Sequence, residues 1–213
     1  MKDVNKAITE KSAPRFEFRS FGQDFSNAAS LMARLSIPVP RHLWERHSDE
    51  IYIMSRANNE NNTKIRNSTI DIKTHVQTVE GFEQWNPLIK AEFPISREIL
   101  LTDVFPAFQV EPEQLSAATY TRNQIKELVN SHPDLQGVHV HKQRFAYTVN
   151  NTLCETGIIL INGARVSTIN CESTDLDALK KTIIELELEG VENINYLQAI
   201  KRVIGMIDKP LAN

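Results

Sequence analysis

Two cysteines in 213 residues, Cys154 and Cys171, leave no material for a disulfide framework. Both fall in segments that read as strands, where free cysteines behave as small buried hydrophobes, so reduced thiols are expected. Glycine is scarce too, with seven in the chain. There is no glycine-rich phosphate loop ending in Lys-Ser/Thr, no Gly-x-Ser-x-Gly and no Cys-x-x-Cys. These absences argue against Rossmann and P-loop enzymes and against a serine nucleophile elbow. The longest apolar run, Ile158 to Ile161, is far too short to cross a bilayer. A formal net charge of −3 gives no general attraction for nucleic acid or for an anionic membrane. Neither is expected as a partner, and any anion site has to be a local concentration of cations on an acidic molecule. Residues 1–14 are polar and lack the apolar centre of a signal peptide. The expected organisation is a flexible lead-in (1–14), one domain (15–207) and a short tail (208–213), with the cytoplasm as the expected address.

What the chain does have is charge on every second position of four short segments. They are Arg15-Phe16-Glu17-Phe18-Arg19, Lys64-Ile65-Arg66, Asp71-Ile72-Lys73 and Lys142-Gln143-Arg144. A strand sends alternate side chains to opposite faces. Each segment therefore aims its charges at one face, and the first three aim apolar residues at the other. On an open sheet this is a solvated basic face. On a closed, concave one, Arg19, Lys64, Arg66, Lys73, Lys142 and Arg144 form a cage for a polyanion. Two cations about 5 Å apart repel by roughly 3 kcal/mol at an effective dielectric near 20. Such a cage needs interleaved carboxylates, and Glu17, Asp71 and Glu92 are placed to supply them.

Elements follow from periodicity and turn chemistry. Gln23–Ser36 reads as a helix with Phe25, Ala28, Met32 and Leu35 on one face and Asp24 as its cap. Glu50–Met54 reads as a short strand, Asn58–Asn62 as a loop, Thr69–Gln77 as a strand, and Leu88–Ile95 as a strand begun by Pro87. Arg97–Val104 reads equally as helix or loop. Thr121–Asn130 reads as a helix. Val138–Val149, Thr152–Ile161 and Ala164–Glu172 read as a meander, joined by Asn150-Asn151 and by Asn162-Gly163, the latter a strong type I′ hairpin signal. Thr174 is placed to cap a helix that Gly190 ends near Glu189, and Asn193–Met206 reads as a closing helix. Strands in hairpins with helices between them indicate an antiparallel α+β fold.

The ordered set of basic strands resembles the CYTH domains, the triphosphate tunnel metalloenzymes. Arg15-Phe16-Glu17-Phe18-Arg19 resembles their opening Glu-x-Glu-x-Lys strand. Thr63–Arg66, Thr69–Lys73, Leu88–Phe93 and His141–Phe145 resemble the strands that follow, and Asn193–Lys201 the closing helix. The resemblance spans roughly residues 15 to 205. It implies an eight-stranded antiparallel barrel enclosing a tunnel. Inward Lys and Arg would hold a triphosphate, and inward Glu and Asp would hold Mg²⁺ or Mn²⁺. Family members include inorganic and thiamine triphosphatases and class IV adenylate cyclases. The chain departs from the pattern where Arg15 replaces the first Glu and Arg19 the Lys. Strand Thr152–Ile161 also offers Glu155 alone, with Ile158 and Leu160 where acids would be sought.

The implied site has Arg19, Lys64, Arg66, Lys73, Lys142 and Arg144 on phosphates and Glu17, Glu155 and Glu172 on the metal. The first functional reading is a metal-dependent phosphohydrolase acting on triphosphate, short polyphosphate or an organic triphosphate. The others are a polyanion-binding module that lacks the metal site, and a cyclase of the class IV type. The partner is a small polyanion; a homodimer through a helix face is compatible with the pattern. His139 and His141 share one strand face, opposite in parity to Lys142 and Arg144, so they point outward if those two point in. His75 has the parity of Asp71 and Lys73. Trp44 and Trp85 read as packing residues.

Overall fold

The computed structural model describes residues 14–112 and 114–212; positions 1–13 of the expected lead-in lie outside the described residues. Ten strands are found there: β1 (Phe16–Gly22), β2 (Glu45–Ser55), β3 (Asn61–Arg66), β4 (Thr69–Val79), β5 (Phe82–Glu92), β6 (Ile95–Ser96), β7 (Thr119–Tyr120), β8 (Leu135–Val149), β9 (Thr152–Ile161) and β10 (Ala164–Ser173). The helices are α1 (Ser26–Leu35), α2 (Arg41–Trp44), α3 (Arg97–Ile99), α4 (Phe105–Phe108), α5 (Arg122–Ser131), α6 (Leu176–Glu185) and α7 (Tyr196–Val203), with a π-helical turn at Leu100–Val104. Eight strands close into an antiparallel barrel in the order β1-β10-β9-β8-β2-β3-β4-β5, and β6 and β7 form a separate pair. The barrel closes where Phe16 and Glu17 of β1 meet Gln84 and Glu83 of β5. No helix among the described residues is long and apolar enough to cross a membrane.

Alternation puts one set of side chains inside the barrel and the other under the helices. On one outer side Phe18, Ile169 and Cys171 pack against Phe25, Ala28 and Met32 of α1 and Leu179 and Ile183 of α6. On another, Ile51, Ile65, Ile70 and Ile72 pack against Leu100, Phe105, Phe108, Ile125 and Val129. A third apolar cluster lies within the barrel. Phe21, Met54, Val138, Val140, Ile159 and Ile161 meet Tyr196, Leu197 and Ile200 of α7 and fill one end of the interior. Each fully buried side chain of this size contributes about 1.5–3 kcal/mol relative to exposure. The other end of the interior is left to the charged residues.

The meander forms as its turns dictate. Asn162 and Gly163 adopt φ of 47° and 88°, and Asn150 and Asn151 adopt 49° and 58°, the left-handed values that a type I′ turn requires. Cys154 and Cys171 are free, buried and opposite one another across β9 and β10.

Several element boundaries differ from expectation. β2 begins at Glu45, five residues before the expected start. Pro87 lies inside β5, next to a register shift that leaves Leu88 unmatched between Ile72–Ile89 and Lys73–Pro87. A residue without an N–H is tolerated beside such a bulge. A second shift leaves Val76 unmatched, and both extra residues are exposed. Arg97–Val104 is helical, capped by the Ser96 side chain accepting from the Ile99 N–H. α6 is capped by Asp175 rather than Thr174, because the Asp175 carboxylate accepts from the N–H groups of both Asp177 and Ala178. It stops at Glu185, where Glu187 rather than Gly190 first takes a left-handed φ. α1 and α7 are each shorter than the periodic pattern, and Leu35 is exposed.

Candidate functional site

The inward parity of four strands brings the expected cations together. Arg19 comes from β1, Lys64 and Arg66 from β3, Lys73 from β4, and Lys142 and Arg144 from β8. Arg19, Lys64, Lys73, Lys142 and Arg144 line a cavity of about 200 Å³, with Glu17, Asp71, Glu155 and Glu172 on the same wall. Arg66 lines an adjoining vestibule of about 560 Å³, which shares Arg46 and Arg144 with the cavity. The cavity's lining cations (Arg19, Arg46, Lys64, Lys73, Lys142, Arg144) outnumber its lining carboxylates (Glu17, Asp71, Glu155, Glu172) by two, 6 − 4. Among the residues expected to interleave, Glu17 and Asp71 do so. Glu92 instead lies exposed at the end of β5.

Two carboxylates organise the cations. Glu155 lies 2.6 Å from Arg46, 3.5 Å from Arg144 and 3.8 Å from Arg19. Glu50, 3% exposed, lies 2.7 Å from the Lys142 ammonium, 3.7 Å from Lys64 and 3.6 Å from Arg66. Burial by itself would raise the Glu50 pKa; Lys142 first, then Lys64 and Arg66, hold it down at about 2. Burial works against the ammonium of Lys142 and Glu50 works for it. The net effect leaves the Lys142 pKa well below the usual lysine value, with Glu50 as the main pull toward the charged form. Burial likewise lowers the Lys64 pKa, against the pull of Glu50 and Asp71.

Lys142 is deeper than a phosphate ligand needs to be. It donates to the Tyr52 hydroxyl at 2.6 Å and lies 4.0 Å above the Tyr196 ring, with 2% of its surface exposed. Its donors serve the floor of the cavity, and its charge reaches a ligand only through space. Arg19 also lies over Tyr196, its guanidinium carbon 4.8 Å from the ring centroid. Other cation atoms are unspent. Among the described residues, Arg19 Nη1 and Arg144 Nε are buried without a hydrogen-bond partner, as are Asn170 Oδ1 and the Tyr196 hydroxyl. Buried polar atoms of this kind carry a cost that a ligand can remove.

Gly157 gives Arg144 its place. The two are cross-strand partners, and a Cβ at position 157 would meet the Gln143 carbonyl oxygen at 2.6 Å and Arg144 Cγ at 3.1 Å. Gly157→Ala is expected to destabilise the protein by about 1–3 kcal/mol, the usual cost of overpacking, as measured by urea unfolding. An unchanged midpoint would show that β8 and β9 shift apart freely.

Structure comparison places this arrangement in a known architecture. A candidate adenylate cyclase from Bacillus halodurans matches over 88% of this chain and 98% of its own, with a TM-score of 0.50 and 10% identity. The chain has the CYTH-like tunnel fold. A candidate adenylyl cyclase from Hippeastrum, described as having a dominant triphosphatase activity, matches over 91% of this chain and 97% of its own, with a TM-score of 0.48 and 10% identity. The Mimivirus capping enzyme triphosphatase matches over 82% and 89%, with a TM-score of 0.41 and 8% identity. No family model and no curated protein matches the chain by sequence.

The acidic residues of this CYTH-like barrel do not fit the metal site expected for them. Glu17 and Glu172 face each other across β1 and β10, and Glu155 lies on the neighbouring strand. Each is engaged by a guanidinium, Glu17 by Arg19 at 2.8 Å, Glu172 by Arg15 at 3.0 Å and Glu155 by Arg46 at 2.6 Å. Among the described residues, no group of three or more His, Cys, Asp or Glu side chains could hold a metal ion. Arg15, the departure from the opening motif, therefore takes one of the carboxylates for itself.

Other expectations resolve by parity. His139 and His141 face outward, His141 2.8 Å from Asp49. His75 bonds to Thr78 and touches Trp85 edge-on, and it does not line the cavity. Trp85 packs against the inner apolar cluster, as expected, and also lines the CYTH-like cavity, its indole N–H donating to Glu83, which also accepts from Asn195. Trp44 packs on Phe145 as expected. Sequence reasoning missed Arg46, Glu50, Tyr52 and Tyr196.

Proposed function

We propose that the polar half of the barrel binds a short phosphate polyanion: triphosphate, short polyphosphate or an organic triphosphate. The observation that supports this reading is the convergence of cations from five strands on one cavity, with buried guanidinium N–H groups of Arg19 and Arg144 left without hydrogen-bond partners among the described residues. Arginine matches phosphate oxygens in pairs, and lysine adds point charge. The carboxylates act as counter-ions to the arginines, so the binding proposed here requires no divalent ion. This favours a binding module over the metal-dependent phosphohydrolase.

Calorimetry with tripolyphosphate in EDTA tests the reading. Binding is expected without a divalent ion, and it should weaken as salt rises, as it does where cations neutralise phosphates. A parallel phosphate-release assay with Mg²⁺ or Mn²⁺ should show no turnover above an Arg66→Ala control. No binding in EDTA removes the proposal. Turnover with the ion would return the protein to the hydrolase class, with Glu17, Glu155 and Glu172 freed from their arginines to act.

A further inference from the structure

Glu50 is the most deeply buried carboxylate among the cations of the barrel, 3% exposed. Its neighbours fall into two groups. Lys142 is committed to it, closed in by the Tyr52 hydroxyl at 2.6 Å and the Tyr196 ring at 4.0 Å. Lys64 and Arg66 are not. They lie 3.7 and 3.6 Å from the carboxylate, beyond good hydrogen-bond length. Neither donates a side-chain hydrogen bond among the described residues, and both are half-buried on the walls of the cavity and vestibule. The carboxylate and a ligand phosphate would therefore draw on the same two cations. The carboxylate is fixed in place, because it is buried on β2, opposite Arg66 of β3, and its pair with Lys142 holds it there.

We propose that Glu50 is an internal competitor of the ligand, a built-in anion that keeps the empty barrel stable and limits how tightly a polyanion is held. This rests on the phosphate-polyanion reading above. Two effects follow. A ligand has to share Lys64 and Arg66 with the carboxylate, which weakens every phosphate ligand. It also feels the carboxylate's own charge, and that repulsion grows with the charge of the ligand. Glu50→Gln keeps the shape and removes the charge. It should tighten binding although it deletes a charged residue of the site, and the gain should rise from orthophosphate through pyrophosphate to tripolyphosphate. A role confined to packing would not grade with ligand charge.

The experiment is calorimetry of the three phosphates, in EDTA, on wild type and Glu50→Gln. Expected is a tenfold or greater tightening for tripolyphosphate, a smaller one for pyrophosphate and the least for orthophosphate. If wild type binds tripolyphosphate and the variant binds it equally or more weakly, the inference fails while the phosphate reading stands. If wild type binds none of the three, that reading itself fails. Should Glu50→Gln not fold, Glu50→Gln/Lys142→Met removes both members of the buried pair. Tripolyphosphate affinity no lower than wild type, with two charged residues gone, supports the proposal, and a loss overturns it.

Discussion

Lys142→Met is expected to lower the free energy of unfolding by about 3–5 kcal/mol, the range for breaking a buried ion pair from one side. Methionine fills the space of the lysine stem, so the cost is electrostatic. Glu50 would keep only Lys64 and Arg66, at 3.7 and 3.6 Å rather than the 2.7 Å of Lys142. At about 2–4 °C per kcal/mol for a domain of this size, the melting temperature should fall by roughly 6–20 °C. Adding Glu50→Gln should recover most of the loss, because a neutral pair no longer strands a buried charge. A single variant that melts with the wild type would mean that Lys64 and Arg66 suffice to hold Glu50.

Glu50 also contributes to stability toward acid. Glu50 titrates at about 2 in the folded protein and at about 4.3 when unfolded. Its pKa is depressed on folding, so its contribution is complete above the unfolded value. It is lost as pH falls from about 4 through 2, and it amounts to roughly 3 kcal/mol. In that window the unfolded chain binds more protons, so stability rises with pH. Lys142→Met moves the folded pKa upward and narrows Glu50's window, and Glu50→Gln removes its share, leaving that of Glu192, which Arg202 and Lys209 also hold at about 2. Urea midpoints between pH 2 and 6 for the three proteins would show both effects.

Arg144→Glu is expected to reduce tripolyphosphate affinity by three orders of magnitude or more. Arg144 belongs to both the cavity and the vestibule, and its Nε has no hydrogen-bond partner among the described residues. Loss of a charge-assisted hydrogen bond removes about 1.5–3 kcal/mol. A new carboxylate beside Glu155, now 3.5 Å from the guanidinium, would add repulsion of about 4 kcal/mol at an effective dielectric of 20. Reversing the partner as well, in Arg144→Glu/Glu155→Arg, restores the net charge and should recover at least tenfold of the affinity. A single variant that binds within tenfold of wild type would place the phosphates elsewhere.

The alternation of charge was enough to read the barrel's inner wall where strands are amphipathic. Glu17 and Arg19, Lys64 and Arg66, Lys142 and Arg144 all lie inside, with Phe18, Ile65 and Ile72 beneath the helices. The signal failed at β2. Its first half, Glu45-Arg46-His47-Ser48-Asp49-Glu50, is polar on both faces, since Asp49 and His47 look to solvent while Arg46 lines the cavity and Glu50 turns in toward Lys142. No contrast between faces marks the strand there, and Glu50 looked like its first residue. Counting back in twos from Tyr52 would have found Glu50 and Arg46. β5 failed for a different reason. Two register shifts change the parity within β4 and β5, so His75 and Trp85 cannot be assigned to a face from spacing. The ring of Tyr196 is beyond any such count, because it reaches the cavity from a helix that packs into the barrel end.

That helix has a consequence for traffic. With Phe21, Val138 and Ile161 sealed against Leu197 and Ile200, no polymer can be threaded from one rim of the barrel to the other. Whatever enters at the charged rim must back out the same way. A long chain could insert only a terminus, with the rest trailing in solvent.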